Sequence, residues 1–141
     1  MRFFIASPWK NKDQVEQLSE KLTRRGYEVY SFLLSGANLA AGISIGDELK
    51  MFNEALGNWQ QDADIKRIFD SEMEGLKGSD ALILLGPVGR SSLIEAGIAY
   101  GLGKKVFIVG SVEKPEVFYL ICDNLYADID SFLGSLPPAR Q

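Results

Sequence analysis

The 141-residue chain has no histidine and a single cysteine, Cys122. Without histidine there is no Ser-His-Asp triad, no imidazole general base and no His-ligated zinc. One thiol excludes an internal disulfide and any multi-cysteine metal site. Any catalysis must therefore run on carboxylates, hydroxyls, lysine, arginine, tyrosine or Cys122. Basic charge is also in short supply: 15 Lys and Arg against 19 Asp and Glu leave a net charge of -4. That balance opposes binding to nucleic acid, which needs a basic surface to release counterions. The densest basic cluster, Lys21, Arg24 and Arg25, falls at the end of a predicted helix, where it complements the helix dipole. No apolar run approaches the roughly 18 residues of a membrane span. The opening MRFFIASPWKNK is too short in apolar residues for a signal-peptide core, so a cytoplasmic protein is expected.

What is present suits one globular domain over residues 1–141. Hydrophobic residues make up 46% and charged residues 24%, and a chain of this length buries about two-thirds of its unfolded surface. A full core is then possible without metals or cross-links. Residues 2–7 (RFFIAS) read as a buried parallel strand. A helix follows over about 13–25, with Val15, Leu18 and Leu22 as its apolar stripe, Asp13 and Glu16 in capping-box spacing, and Gly26 just past its end. Residues 27–34 (YEVYSFLL) read as the second strand. The glycine- and alanine-rich stretch 35–60 is a variable insertion with weak periodicity; a short helix could open at Gly46-Asp47 and run through Met51, Phe52 and Leu56. A strong helix spans about 62–77, with Ile65, Ile68, Phe69, Met73 and Leu76 on one face and Gly78 at its end. DALILLG (80–86) is a central strand, 92–102 a helix, and KVFIVG (105–110) another buried strand. Residues 114–122 suit a short helix, 124–129 a last strand and 130–136 a terminal helix. Pro137-Pro138 ends regular order, leaving 137–141 as a disordered tail. This alternation predicts a three-layer α/β fold, flavodoxin-like or Rossmann-like, with a mostly parallel sheet of about five strands. Such sheets bind ligands beyond the carboxyl ends of their strands.

Two carboxylates are out of place. Glu95 sits in SSLIEAGIAYGLG, a helix apolar nearly all round, where burying an anion is costly unless it is solvated or bonded. Gly97 and Gly101 in that helix each cost ~1 kcal/mol against alanine but leave room for close packing. Two readings fit Glu95: a capping box with Ser92, or a ligand-facing acid near the positive end of the helix dipole. Glu72 is seven residues after Ile65 and four before Leu76, so it lies on the apolar stripe; the alternative is a stripe-edge residue reaching solvent. Asp70 shares its face with Lys66, Arg67 and Lys77 and suits an exposed ion pair. Two carboxylates in one cleft permit chemistry at a sugar carbon, one attacking and one giving a proton to the leaving group.

Between strand and helix, Gly86-Pro87-Val88-Gly89-Arg90-Ser91-Ser92 supplies backbone N–H groups, two hydroxyls and a guanidinium at a helix N-terminus. It suits an anion or sugar hydroxyls, or is an ordinary loop and cap. Its spacing is neither a Walker nor a dinucleotide fingerprint. Phe3, Trp9 and Trp59 are candidate walls for a flat base; Trp9 is better placed than Trp59, and Phe3 also suits the sheet core. Ser7 suits a sugar or phosphate contact, or a turn with Pro8. Cys122, in an apolar segment with no base beside it, reads as inert packing.

Four segments in order resemble the nucleoside 2-deoxyribosyltransferase family and its relatives that hydrolyse nucleoside monophosphates. They are residues 2–9 (RFFIASPW), residues 72–85 (EMEGLKGSDALILL), residues 89–105 (GRSSLIEAGIAYGLGKK), and Asp123-Asn124 after the next strand. The resemblance implies that Glu95 is the catalytic nucleophile. It implies that Glu72 occupies the position of an acid, usually Asp, that contacts the base and helps protonate it. Ser7, Gly89, Arg90, Ser91 and Ser92 match positions holding the sugar 5′ end or phosphate. Asp123 and Asn124 match the family's binding segment, and Asn124 matches a residue that enters the neighbouring subunit's site. A homodimer or higher homo-oligomer is therefore expected. The family's opening-strand tyrosine falls on Phe3. The chain is shorter than transferase members, which favours hydrolysis or an unassigned substrate over transfer between bases.

The expected activity is cleavage or transfer of the N-glycosidic bond of a nucleoside or nucleoside 5′-monophosphate. No cofactor, metal, nucleic acid or membrane is expected. Two other readings remain. One is an NAD glycohydrolase resembling Toll/interleukin-receptor-type domains, and the other is a catalytically silent nucleotide-binding module.

Overall fold

A computed structural model describes residues 1–34 and 58–138. The expected short helix through Met51, Phe52 and Leu56, most of the insertion and residues 139–141 lie outside the described residues.

Five strands form one sheet: β1 (Arg2–Ala6), β2 (Glu28–Tyr30), β3 (Ala81–Leu85), β4 (Lys105–Val109) and β5 (Asn124–Tyr126). Their order is β2-β1-β3-β4-β5, and every pairing is parallel. Four helices are present among the described residues: α1 (Lys12–Arg24), α2 (Ala63–Lys77), α3 (Arg90–Gly101) and α4 (Ile129–Ser135). Successive strand side chains point to opposite faces, which divides the core in two. Phe3, Ile5, Ala81, Ile83 and Leu85 pack under Val15, Leu18 and Leu22 of α1 and Phe132 and Leu133 of α4. Phe4, Ala6, Leu82, Leu84, Val106 and Ile108 pack under Leu76 of α2 and Ala96 and Ala99 of α3. The predicted three-layer α/β fold is therefore present. No helix of the described residues is long and apolar enough to cross a membrane.

Several boundaries differ from expectation. A 3-10 turn, Trp9–Asn11, precedes α1, so Asn11 and not Asp13 stands at the cap position and no side chain caps the helix. Asp13 instead lies in the first turn, where its charge suits the dipole. Arg25 caps the other end, and Gly26 takes φ +89°, as a residue past a helix end should. β2 stops at Tyr30, four residues short of the expected end, and Phe32–Leu34 forms a 3-10 turn. As an edge strand it has one ladder partner, and Phe32 and Leu33 gain more by turning inward and burying. The predicted helix over 114–122 is a 3-10 turn, Val117–Ile121.

α2 begins as predicted: the Asp62 carboxylate accepts the N–H groups of Asp64 and Ile65, each at 3.0 Å. Its predicted apolar face is only partly used. Gly75 and Leu76 are buried, whereas Phe69 is 60% exposed. Asp70 is exposed too, and Arg67 pairs with Asp64 instead. Beyond β3 and β4 the chain crowds. A Cβ on Gly86 would lie 3.2 Å from the Ser111 carbonyl oxygen, and Gly110, at φ +110°, packs against Gly86. Asp128 caps α4 by accepting the Ser131 N–H at 2.7 Å, and that bond holds its carboxyl below the usual value. After α4, the Tyr27 hydroxyl donates to the Pro137 carbonyl, tying the end of the described chain to the core.

α4 is only seven residues long but carries the aromatic centre of its face. Phe132 is fully buried, with ring centroids 6.0 Å from Phe3, 5.6 Å from Phe107 and 5.3 Å from Tyr126. Phe132→Ala is expected to lower the unfolding free energy by about 3–5 kcal/mol, measured by urea denaturation.

Candidate active site

The sheet topology fixes where a crevice opens. From β1 the chain crosses to β2 on one side and, later, to β3 on the other, and α1 and α2 cover opposite faces. The connections leaving the carboxyl ends of β1 and β3 thus diverge, as at the switch point where ligands bind in such folds. A cavity of about 300 Å³ lies there. The end of β1 supplies Ser7, Pro8 and Trp9; the segment after β2 supplies Ser31, Phe32 and Leu33; α2 supplies Glu72; the start of α3 supplies Gly89, Arg90, Ser91, Ser92 and Glu95.

The cavity joins the two anomalous carboxylates. Both Glu72 and Glu95 are half-buried and line it. Ser92 is not the cap that a capping box with Glu95 requires. α3 starts at Arg90 with Gly89 as its N-cap, two residues earlier than predicted, so Ser92 is the third helical residue rather than the cap. Glu95 accordingly sits in the second turn, where the dipole acts more weakly than in the first. The early start also moves Arg90, Ser91 and Ser92 into the first turn. The helical ladder begins with the Leu93 N–H donating to the Gly89 carbonyl at 3.1 Å, so the three preceding N–H groups face out of the helix end. With two hydroxyls and a guanidinium, this end suits an anion.

Ser7 is engaged by the protein. Its hydroxyl donates to the Leu85 carbonyl at 2.9 Å and accepts from Asn11 Nδ2 at 2.8 Å. Asn11 Nδ2 also donates to the Gly86 carbonyl at 2.9 Å. One hydroxyl carries one proton, so in this arrangement Ser7 can offer a ligand only a lone pair. It suits a sugar hydroxyl better than an unprotonated phosphate oxygen. Trp9 meets Phe32 edge-on at 5.4 Å, and the two rings make an aromatic wall of the cavity.

Four expected residues are elsewhere. Phe3 is fully buried on the α1–α4 face, edge-on to Tyr27 at 5.3 Å, and does not line the cavity. The strand's alternation turns it away from α2 and α3. Asp123 ties β5 to β4: its carboxylate accepts the Val106 N–H at 2.9 Å, and its own N–H donates to the Val106 carbonyl at 2.7 Å. Asn124 is exposed, and both residues line a separate groove with Tyr119, Cys122 and Leu125. Trp59 is exposed in the turn before α2 and is not among the lining residues. Burial, helped by the charge of Asp123, pushes the Cys122 thiol up to about 11, in keeping with the inert reading. Among the described residues no group of His, Cys, Asp and Glu is placed to hold a metal ion.

Sequence reasoning missed Asn11, Ser31, Phe32 and Leu33. The run YEVYSFLL carries no mark of where the strand stops. Asn11, a polar residue between a turn and a helix, reads as a cap until its partners are known.

No family model matches the chain, and no curated protein matches it. Solved structures do. A 2-deoxyribosyltransferase from Bacillus psychrosaccharolyticus superposes with a TM-score of 0.62 at 16% identity, covering 97% of this chain and 93% of the other. The CMP N-glycosidase BcmB of Clostridium botulinum superposes with a TM-score of 0.51 at 18% identity, covering 95% and 96%. At these identities the likeness shows the fold. It is the fold that the sequence resemblance implied.

Asn11 is buried and satisfies both Gly86 and Ser7. Asn11→Ala is expected to cost about 1–3 kcal/mol of stability, because it leaves a buried carbonyl unpaired. Chemical denaturation with an unchanged m-value checks this.

Proposed function

We propose that the chain breaks the N-glycosidic bond of a nucleoside or nucleoside 5′-monophosphate, with Glu95 as nucleophile and Glu72 as the acid that serves the base. The observation that carries this reading is the meeting of Glu72 and Glu95 in one cavity, in a chain without histidine. Carboxylates suit the reaction because its transition state carries positive charge on the sugar. A Glu95 oxygen bonds to C1′ as the C1′–N bond breaks. The electron pair of that bond leaves with the base, and Glu72 supplies the proton. Water then opens the glycosyl ester, freeing the Glu95 carboxylate and returning a proton to Glu72. A second base in place of water makes the same intermediate a transfer reaction.

The remaining lining residues suit this substrate. Arg90, Ser91 and Ser92, with the helix N–H groups, hold a 5′-phosphate. Ser7 accepts from a sugar hydroxyl. Trp9 and Phe32 flank the base. The names of the two structural neighbours, a deoxyribosyltransferase and a CMP N-glycosidase, support the same class of bond.

Asn124 stands on the far side of β4 from this cavity, so within one chain it does not serve Glu95. A homodimer supplies it: the partner subunit's Asn124 enters the site. The segment beside Asn124 exposes Val117, Phe118, Leu120 and Leu125 at 74%, 80%, 88% and 62%, an apolar patch that a second copy would cover.

Two experiments test these readings. Incubation with nucleosides, nucleoside 5′-monophosphates and NAD, read by mass, is expected to show a freed base from one of the first two classes. Glu95→Gln should reduce that release by about a thousandfold or more while the protein stays folded; undiminished release by this variant rules out the nucleophile. Co-expression of Glu95→Ala and Asn124→Ala chains should recover about a quarter of wild-type activity, because half the dimers are mixed and each has one complete site. No recovery from the mixture overturns sharing of the site between copies.

A further inference from the structure

Glu72 stands on a helix that touches the sheet mainly through Gly75 and Leu76, so something else must fix the turn that carries it. Tyr30, the last residue of β2, is placed to do this. Its ring stacks on Phe4 at 5.2 Å and lies under the Arg2 guanidinium at 5.8 Å. From there it enters α2 at Gly75: a Cβ at that position would come within 2.5–2.7 Å of three ring atoms. The Tyr30 hydroxyl donates to the Ser71 carbonyl at 3.1 Å and lies 3.2 Å from Ser71 Oγ. Ring and hydroxyl thus hold α2 one residue before Glu72 and three residues after it. The next residues along the chain, Ser31, Phe32 and Leu33, are themselves cavity wall.

We infer that Tyr30 is the positioning residue for Glu72, setting the carboxylate's place in the cavity through its hydroxyl bond to Ser71 and its ring seated against Gly75. The inference rests on the proposed role of Glu72 as the acid serving the leaving base. Tyr30 is not among the residues lining the cavity, so its part is to place α2. A carboxylate displaced by a fraction of an ångström still belongs to the cavity but delivers its proton poorly.

The test is a double-mutant cycle with Tyr30→Phe and Glu72→Gln. Phenylalanine keeps the ring, its stack on Phe4 and its seat at Gly75, so the fold is retained while the hydroxyl and its bond to Ser71 are lost. With the nucleoside 5′-monophosphate that the wild type cleaves fastest, Tyr30→Phe should lower kcat about tenfold and leave KM within about twofold. In the Glu72→Gln background the same substitution should have no further effect. An unchanged kcat, or an equal loss in both backgrounds, overturns the inference. Amide hydrogen exchange gives a readout independent of turnover: residues 71–75 should exchange faster in Tyr30→Phe, and α3 should not. If the wild type cleaves nothing in the panel, the proposed function falls and the role of Tyr30 in catalysis falls with it. If the wild type is active but exchange over 71–75 is unaltered, only the inference about Tyr30 fails.

Discussion

The structure depends on one constraint: β1 is hydrogen-bonded along both edges and buried on both faces. With β2 on one side and β3 on the other, nothing can follow β1 in its own plane. The chain has to leave over one face, and the connection into β3 has to come from the other. The gap between those departures is where the carboxylates meet. The crevice therefore follows from topology, and the local sequence decides what fills it. Ser7 and Asn11 hold the two diverging ends together by bonding to the carbonyls of Leu85 and Gly86, and so keep the gap at one width.

A site without imidazole must obtain its reactivity from placement. Here each polar element is confined by its backbone context. Ser7 has its proton committed to Leu85, which limits what it can recognise. Ser92 is buried within the first turn of α3 and is not its cap. Glu72 comes from a helix whose exposed Phe69 shows how lightly its middle is packed. The result is a cavity with acids on two adjoining helices, a helix end whose N–H groups suit an anion, and an aromatic wall.

Much of this was legible in the sequence. The strands of the centre are unbroken apolar runs, and the helices between them have clear stripes, so the layers followed directly. Glu72 and Glu95 were conspicuous because each interrupts an apolar pattern, and a charge on such a stripe calls for an explanation. What was not legible depends on partners distant in the chain. The end of β2 is set by the lack of a second neighbour strand, which no local pattern records. The start of α3 moved because Gly89, in an extended conformation, serves as a cap without any side chain. Phe3 had two readings, a wall for the base or sheet core, and the two-residue period of β1 puts it in the core with Tyr27 and Phe132. Asn124 lies two strands away from β3, a distance that linear spacing cannot express.

The solitary sulfur of the chain has one more consequence. Cys122 is half-buried beside the short turn that follows β4, and its proton is held tightly. A thiolate-seeking dye will find little to react with while that corner is closed. Because there is no second cysteine to confuse the signal, any thiol label on the chain reports on that edge alone. The molecule needs no engineered reporter.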